Sequence, residues 1–403
     1  MRKFLFTLAG ALLCWPAMSR AQSAAELDTT TFVVIGEGLA AGFSNFSLQD
    51  IFQQSSFPAV MARQMETAFP QPLVQAPGIG SAPGYPAQPV AVPAPGQTTV
   101  RTPFPPTLFV FNLAVPGHRV GDAISLRPTS PLIQQDNAKQ TVTNMLLGWP
   151  AMILGPTKPR WSQLEYAVAM APTIVLVELG YTEALEAAVQ GNAGLMPEPG
   201  AFRTDYAKVL STLMPTFATL ITTTIPNPMD TAYFNTVAAV SRLTGIPVAT
   251  IVSKYGLKEG DLLSPNAVFA VSAGAPELPA GSVTAAAVAS AVGARVRALN
   301  SEISAASKEA GAVVYDLNAT FSRVRTSGLT VGSLTLTADF LGGFYSLCGS
   351  FPGMTGYALF ANEILTLLNQ QFQKSFALVD LETVAADDPA VRFRPYAVSG
   401  GTK

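Results

Sequence analysis

Few residues of this 403-residue chain can do acid–base or nucleophilic chemistry. It has one histidine, His118, and two cysteines, of which only Cys348 lies beyond the first 21 residues. A histidine beside a hydroxyl or thiol is typical of acyl transfer, because the base takes the proton of the nucleophile. One histidine and one cysteine supply few metal ligands besides carboxylates, so the sequence predicts no metal site and no cofactor.

Three glutamates, Glu37, Glu178 and Glu183, lie at or near the ends of predicted strands. Two carboxylates that face each other are the catalytic groups of glycoside hydrolases. Glu37 and Glu183 also suit hydrogen bonding to the backbone of a turn, and we favour that role for them over glycoside chemistry.

The turn that holds Glu37 follows an apolar stretch that is the organising feature of the chain. Residues 32–35 form an apolar, β-branched run that stops at Gly36, and Gly38 follows two residues later. This pattern predicts a buried strand that ends in a tight turn. Ligands of open α/β sheets bind beyond the carboxyl ends of the strands, so chemistry is expected at this edge.

Apolar runs alternate with segments of helical periodicity along the rest of the chain. Strands are predicted at 32–35, 108–115, 173–177, 217–221 and 312–317, and helices at 57–65, 162–170, 202–214, 283–310 and 355–369. Such alternation predicts an α/β fold with a parallel sheet and helices on both faces. One domain over residues 22–375 is expected, with a Pro/Gly-rich excursion at 70–106, a cap-like insertion at 227–282 and a tail at 376–403.

The first 21 residues have the pattern of a secretory signal peptide. A basic start at Arg2 and Lys3 precedes a short apolar core, and small residues flank Arg20 before a predicted cleavage after Ala21. The sequence therefore predicts a secreted or periplasmic protein with no transmembrane span after signal removal. Of 24 basic and 26 acidic residues, the three basic ones in this segment are lost, which leaves a net charge of −5. That charge argues against a nucleic-acid partner.

Four glycine-marked turns occur in a fixed order: Gly36-Glu-Gly38, Pro116-Gly117-His118, Gly180-Tyr-Thr182-Glu183 and Cys348-Gly-Ser-Phe351-Pro352. With their flanking residues, they resemble the four blocks of the SGNH, or GDSL, hydrolase superfamily, over about residues 32–372. The resemblance implies a three-layer α/β/α fold with a five-stranded, flavodoxin-like parallel sheet. It also implies a GDSL-like lipase or acylhydrolase ancestry.

The functional positions of that family are altered here. By the resemblance, Gly38 replaces the nucleophilic serine, Thr182 the oxyanion-hole asparagine, Cys348 the triad aspartate and Phe351 the base histidine. Only Gly117, which corresponds to the glycine of the oxyanion hole, is kept. Nucleophile, base and orienting group are all missing, so no catalytic residue is expected and a pseudoenzyme is predicted.

The predicted pseudoenzyme keeps an apolar and roomier crevice that binds an acyl, lipid or other apolar small molecule. The residues expected to contact this ligand are Glu37, Gly38, Gly117, His118, Thr182 and Phe351. One alternative is an active ester hydrolase with a non-standard site at His118. The other is a structural or interaction protein that binds through the segments 70–106 and 227–282. The oligomeric state is left open.

Overall fold

The computed structural model describes residues 26–76, 78–80, 101–102, 109–134, 136–148, 151, 155, 160–392 and 394. The predicted signal peptide and most of the 70–106 excursion lie outside these residues. Eleven strands are described: β1 (Phe32–Gly36), β2 (Leu73–Val74), β3 (Arg101–Thr102), β4 (Ile174–Glu178), β5 (Thr219–Thr223), β6 (Asn235–Thr236), β7 (Leu262–Leu263), β8 (Val283–Thr284), β9 (Val313–Tyr315), β10 (Leu329–Val331) and β11 (Leu334–Leu336).

The described helices are α1 (Gly38–Ala41), α2 (Asp50–Gln53), α3 (Phe57–Gln64), α4 (Val120–Ser125), α5 (Ala138–Leu147), α6 (Gln163–Ala169), α7 (Tyr181–Val189), α8 (Pro199–Leu213), α9 (Val237–Thr244), α10 (Val248–Tyr255), α11 (Pro265–Ser272), α12 (Ala286–Glu309), α13 (Leu317–Ser327), α14 (Met354–Phe372), α15 (Leu381–Asp387) and α16 (Pro389–Arg392).

A parallel sheet of four strands, in the order β1-β4-β5-β9, forms the centre of the fold. Every residue of β1 and β4 is buried, so both faces of the sheet are covered. Helix α3 packs against α14, and α8 packs against both α12 and the pair α4 and α6. The predicted α/β class and the parallel sheet are confirmed.

The predicted second strand is not a strand in the structure. Leu108 lies outside the described residues, and the following segment makes only one parallel bridge to β1, between Val34 and Asn112. Backbone hydrogen bonds join Val34 to Phe111 and Leu113, so the segment runs extended beside β1. The Asn112 carboxamide accepts the Ala114 N–H at 3.1 Å, a local bond that competes with a regular ladder.

The predicted fourth strand begins two residues later than expected. Phe217 has a left-handed backbone with φ 59° and is 95% exposed, so it lies before the sheet rather than within it. The strand then runs from Thr219 to Thr223. The last predicted helix is present as α14 and extends to Phe372.

Residues 235–284, which overlap the predicted insertion at 227–282, form a small unit with its own core, and we call this unit the cap. Strands β6, β7 and β8 form an antiparallel sheet, and α9, α10 and α11 pack beside it. Buried apolar side chains of these helices meet Phe340 in a cluster separate from the main core. The start of the predicted helix 283–310 belongs to this sheet, since α12 begins only at Ala286.

No single described helix has the length and apolar character needed to cross a membrane. Helices α9 and α10 reach that threshold only when they are taken as a pair, and they are bent by 115° relative to each other.

Candidate functional site

The turns at the carboxyl ends of β1 and β4 are joined by two glutamates. The Glu37 carboxylate, from the turn after β1, accepts the backbone N–H groups of Gly180 and Thr182. The Glu178 carboxylate, from the end of β4, accepts the N–H groups of Glu37 and Ala40, both at 3.1 Å. Each side chain thus supplies acceptors to the first turn of the helix that follows the other strand.

Glu183 does the same for a third turn. Its Oε1 accepts the Val120 N–H, at the start of α4, at 2.9 Å, and its Oε2 is buried without a hydrogen-bond partner. The hydrogen bonds therefore confirm the turn role favoured for Glu37 and Glu183, and they show that Glu178 has the same role.

The three carboxyl groups are fully buried, and this changes their acidity. Burial raises the pKa of Glu178 to about 8 and that of Glu183 to about 7. The pKa of Glu37 is raised well above its ordinary value, first by burial and then by repulsion from Glu178 and Glu183. Burial among like charges favours the neutral acid in all three groups.

His118 is fully buried and is held from both sides. Gln163 accepts the Gly36 N–H with its amide oxygen at 2.9 Å and directs its NH₂ group to Nδ1 of His118 at 2.8 Å. The Nε2 atom of His118 lies 2.7 Å from the Thr143 hydroxyl, which donates its own proton to the Lys139 carbonyl. Nδ1 is therefore the acceptor, and Nε2 carries the proton.

This arrangement does not suit a general base. The ring nitrogen that faces Thr143 is a donor, so it cannot take a proton from that hydroxyl. Burial lowers the pKa of His118 to about 3, which fixes the neutral ring. Helices α5 and α6 supply the partners that enclose His118.

Phe351 occupies the space beside Gly38. A Cβ atom built on Gly38 would lie 2.6 Å from Cε1 of Phe351, well inside van der Waals contact. The ring also packs on Phe43 and Tyr181, with centroid separations of 5.0 and 5.7 Å, and is only 6% exposed. The expectation of a roomier crevice at this point was wrong, because the aromatic ring fills the volume next to the glycine.

The other residues that the resemblance singled out lie around this contact. Thr182 is in the first turn of α7, and its backbone N–H is used by Glu37. Cys348 is fully buried, with Sγ 3.1 Å from the Ser346 hydroxyl, which also donates to the Phe351 carbonyl at 3.0 Å. Gly117 has φ +82° and is partly exposed, as a glycine-specific turn requires.

Most of the predicted ligand-contact residues are closed to solvent. Glu37 and His118 are fully buried, and Gly38, Thr182 and Phe351 are buried as well. Within the described part of the chain, no group of three His, Cys, Asp or Glu side chains is arranged to hold a metal ion.

Two residues that the sequence analysis missed support this edge of the sheet. Gln163 bridges β1 and His118, although it lies on a helix 45 residues after the histidine. Asp388, in the tail, accepts the N–H and the hydroxyl of Thr355, both at 2.8 Å, at the start of α14. Of these two residues, only Gln163 could have been located from a local sequence pattern, because it follows Ser162, which caps the start of α6.

The sequence matches no protein-family model, and no curated protein matches it. One solved structure that resembles the chain is the crystal structure of LAE5, an α/β hydrolase enzyme from the metagenome of Lake Arreo, Spain. It is 10% identical, and the similarity covers 86% of this chain and 97% of that chain with a TM-score of 0.38. A TM-score this low does not show that the two chains share a fold or a function.

Proposed function

We propose that this protein is a secreted, catalytically inactive relative of the SGNH hydrolases. The order of the sheet supports this assignment. If the extended segment beside β1 is counted as a strand, the five strands lie in the order second, first, third, fourth, fifth. That is the flavodoxin-like order, in which ligands bind where the strand order reverses. Secretion is proposed from residues 1–21 alone.

The contact between Gly38 and Phe351 carries the proposal. The position of the family's nucleophile has no side chain, and the position of its base holds a ring that packs on that glycine. A serine at position 38 would collide with Phe351, so the two changes fit each other as parts of one packed core. A nucleophile and its base need polar contact at the same place.

The alternative of an active hydrolase at His118 has less support. Among the residues that the structure describes, Thr143 is the only hydroxyl-bearing hydrogen-bond partner of His118, and it faces the protonated nitrogen. A ligand that reaches Gly38 must displace the Phe351 ring. We therefore propose acyl binding only for a state in which the crevice is open. The closed crevice favours a role in binding through outer surfaces.

Hydrolysis assays on the purified chain test this proposal. We expect no hydrolysis of p-nitrophenyl acetate, butyrate or octanoate above the buffer rate, and no adduct with a fluorophosphonate probe. Mass spectrometry decides the origin of any signal, because an adduct mapped to a serine or threonine of this chain would overturn the proposal. Native mass spectrometry should give the mass of the chain without a ligand. An acyl ligand bound in equimolar amount would contradict the closed crevice.

A further inference from the structure

Tyr181 connects the first turn of α7 with the loop that carries Phe351. Its hydroxyl donates to the Ser350 carbonyl at 2.7 Å, and its ring meets the Phe351 ring edge-on at a centroid separation of 5.7 Å. Tyr181 is buried, so both contacts are shielded from water. A displacement of this turn is therefore transmitted to the aromatic ring that packs on Gly38.

The buried glutamates hold the turns on which that ring packs. Glu37 accepts the N–H groups of the residues before and after Tyr181. Glu183, in the same turn, accepts an N–H at the start of α4. Glu178 accepts two N–H groups around the start of α1, whose first residue is Gly38. The position of the ring thus depends on all three carboxyl groups.

Glu183 lies closest to solvent in this cluster. It is 4% exposed, whereas Glu37 and Glu178 are 0% and 1% exposed. Among the described residues, its Oε2 has no hydrogen-bond partner. Arg119 attracts the Glu183 carboxylate and Glu186 repels it, but Arg119 is itself paired with Glu186. An ionised Glu183 therefore gains a partner for its free oxygen when the turn opens to water.

Tyrosine hydroxyl groups surround the cluster on its other sides. Tyr181, Tyr206 and Tyr357 face Glu178 from α7, α8 and α14, and burial raises the pKa of all three hydroxyl groups. The Cys348 thiol faces Tyr181 and Tyr357. The tyrosines therefore stay neutral over the pH range in which the carboxyl groups titrate.

We propose that the three glutamates form a pH switch that keeps the crevice closed while they are protonated and opens it to an acyl chain when they ionise. This inference rests on the open, acyl-binding state proposed above. Ionisation places like charges in one buried space, and the turn that contains Glu183 relieves their repulsion by opening to water. Tyr181 moves with that turn, and Phe351 leaves Gly38.

The switch opens as the pH rises. In the closed crevice, burial raises the pKa of Glu183 to about 7 and that of Glu178 to about 8, and hydration in the open state returns both towards the ordinary value of 4.5. Opening therefore releases protons, and the open fraction increases by up to about tenfold per pH unit for each proton released. For these two groups, the increase ends above about pH 8.

Alkylation of Cys348 by iodoacetamide measures the opening in the full chain. Cys348 is buried, and its Sγ contacts Ser346, which also donates to the Phe351 carbonyl. Peptide mapping gives the rate, and the rate of the urea-unfolded chain at the same pH corrects for titration of the thiol. We expect the protection of Cys348 to fall at least about tenfold between pH 6 and pH 8.5, with unchanged deuterium protection of β1 and β4.

Glu183→Gln keeps the acceptor for the N–H of α4 and cannot ionise. Its Cys348 protection should fall at least about threefold less than that of the wild type over the same range. Glu259→Gln, at an exposed glutamate, is the matched control and should behave like the wild type. Equal pH dependence in wild type and Glu183→Gln would overturn the proposal. Loss of β1 and β4 protection together with that of Cys348 would also overturn it, because it would indicate global unfolding.

Tyr181→Phe tests the connection without changing a carboxyl group. It keeps the ring but loses the bond to Ser350, so Cys348 protection at pH 6 should fall at least about threefold. Tyr255→Phe is the matched control, because the Tyr255 hydroxyl donates to a carbonyl of the cap at 2.8 Å. Equal protection in the two variants would overturn the proposal.

Binding of cis-parinaric acid, a fluorescent fatty acid, tests the acyl chain. We expect at least about tenfold tighter binding at pH 8.5 than at pH 6. No binding at pH 8.5, or equal binding at both pH values, would overturn the proposal. Ester hydrolysis is a separate measurement: turnover would overturn the proposed catalytic inactivity and leave the pH dependence of protection and binding in place.

Discussion

Glu37 and Glu178 each accept backbone N–H groups from the turn that follows the other's strand. This reciprocal contact holds the ends of β1 and β4 together at the edge where an α/β enzyme would place its chemistry. The two carboxyl groups accept hydrogen bonds from the backbone, and their burial raises their pKa. Several measurable properties depend on that use.

Stability should fall as the pH rises. The pKa of Glu178 is raised from 4.5 to about 8 by burial, so the folded chain keeps a proton that the unfolded chain releases. The resulting stabilisation is complete below about pH 4.5 and is lost as the pH rises to about 8. Glu178→Gln keeps an acceptor and removes this titration, so we expect a higher Tm than wild type at pH 8 and little change at pH 4.5.

Thermal unfolding followed by circular dichroism at several pH values measures this effect, which is about 4 kcal/mol at pH 8. Glu259→Gln is the control, because it makes the same substitution at an exposed glutamate. Parallel profiles for wild type and Glu178→Gln would contradict the assignment.

The hydrogen bond between Thr143 and His118 should matter for stability. Thr143→Val conserves shape but leaves the Nε2 proton of a buried ring without an acceptor, which costs about 2 kcal/mol. Urea unfolding measures the loss. Thr212→Val is the matched control, because Thr212 makes the same bond to the carbonyl four residues earlier but is exposed. A loss in Thr143→Val no larger than in the control would show that the histidine contact is weak.

The packing of Gly38 on Phe351 predicts strong coupling between the two positions. Gly38→Ala should destabilise the chain by about 2 kcal/mol because the added methyl group meets the ring. Phe351→Ala removes a buried ring and should cost about 4 kcal/mol. In the double variant the methyl group enters the vacated space, so the combined loss should fall short of additivity by at least about 1 kcal/mol.

Denaturant unfolding of the four proteins in this cycle provides the test. Gly200→Ala is the control, because Gly200 lies in α8 with open space where a Cβ would be, so alanine should be neutral or slightly stabilising. Additive losses at positions 38 and 351 would mean that the ring does not fill the crevice.

Local patterns in the sequence predicted the elements that recur at regular spacing. The apolar runs before Gly36 and Gly180 predicted β1 and β4, and the turn role expected for Glu37 agrees with its hydrogen bonds. The two-residue strands of the cap gave no signal, because periodicity needs a longer window.

Such local patterns could not predict contacts between segments that are distant in the sequence. The glycine at position 38 indicated free space, but the ring of Phe351, more than 300 residues later in the sequence, fills that space. The burial of His118 depends on Gln163 and Thr143, which belong to two later helices. These partners are set by packing of the whole domain, and nothing near His118 in the sequence reveals them.

The tail should stabilise the segment that carries Phe351. Asp388 is buried and accepts the N–H and hydroxyl groups of Thr355 and the N–H of Ala390, so it caps the start of α14. Asp388→Ala removes these acceptors and should cost about 2 kcal/mol in thermal or urea unfolding. Asp387→Ala is the control, because Asp387 is mostly exposed and its pair with Arg392 contributes little. Equal effects of the two substitutions would mean that the tail does not hold α14, and Phe351 would then depend on the core alone.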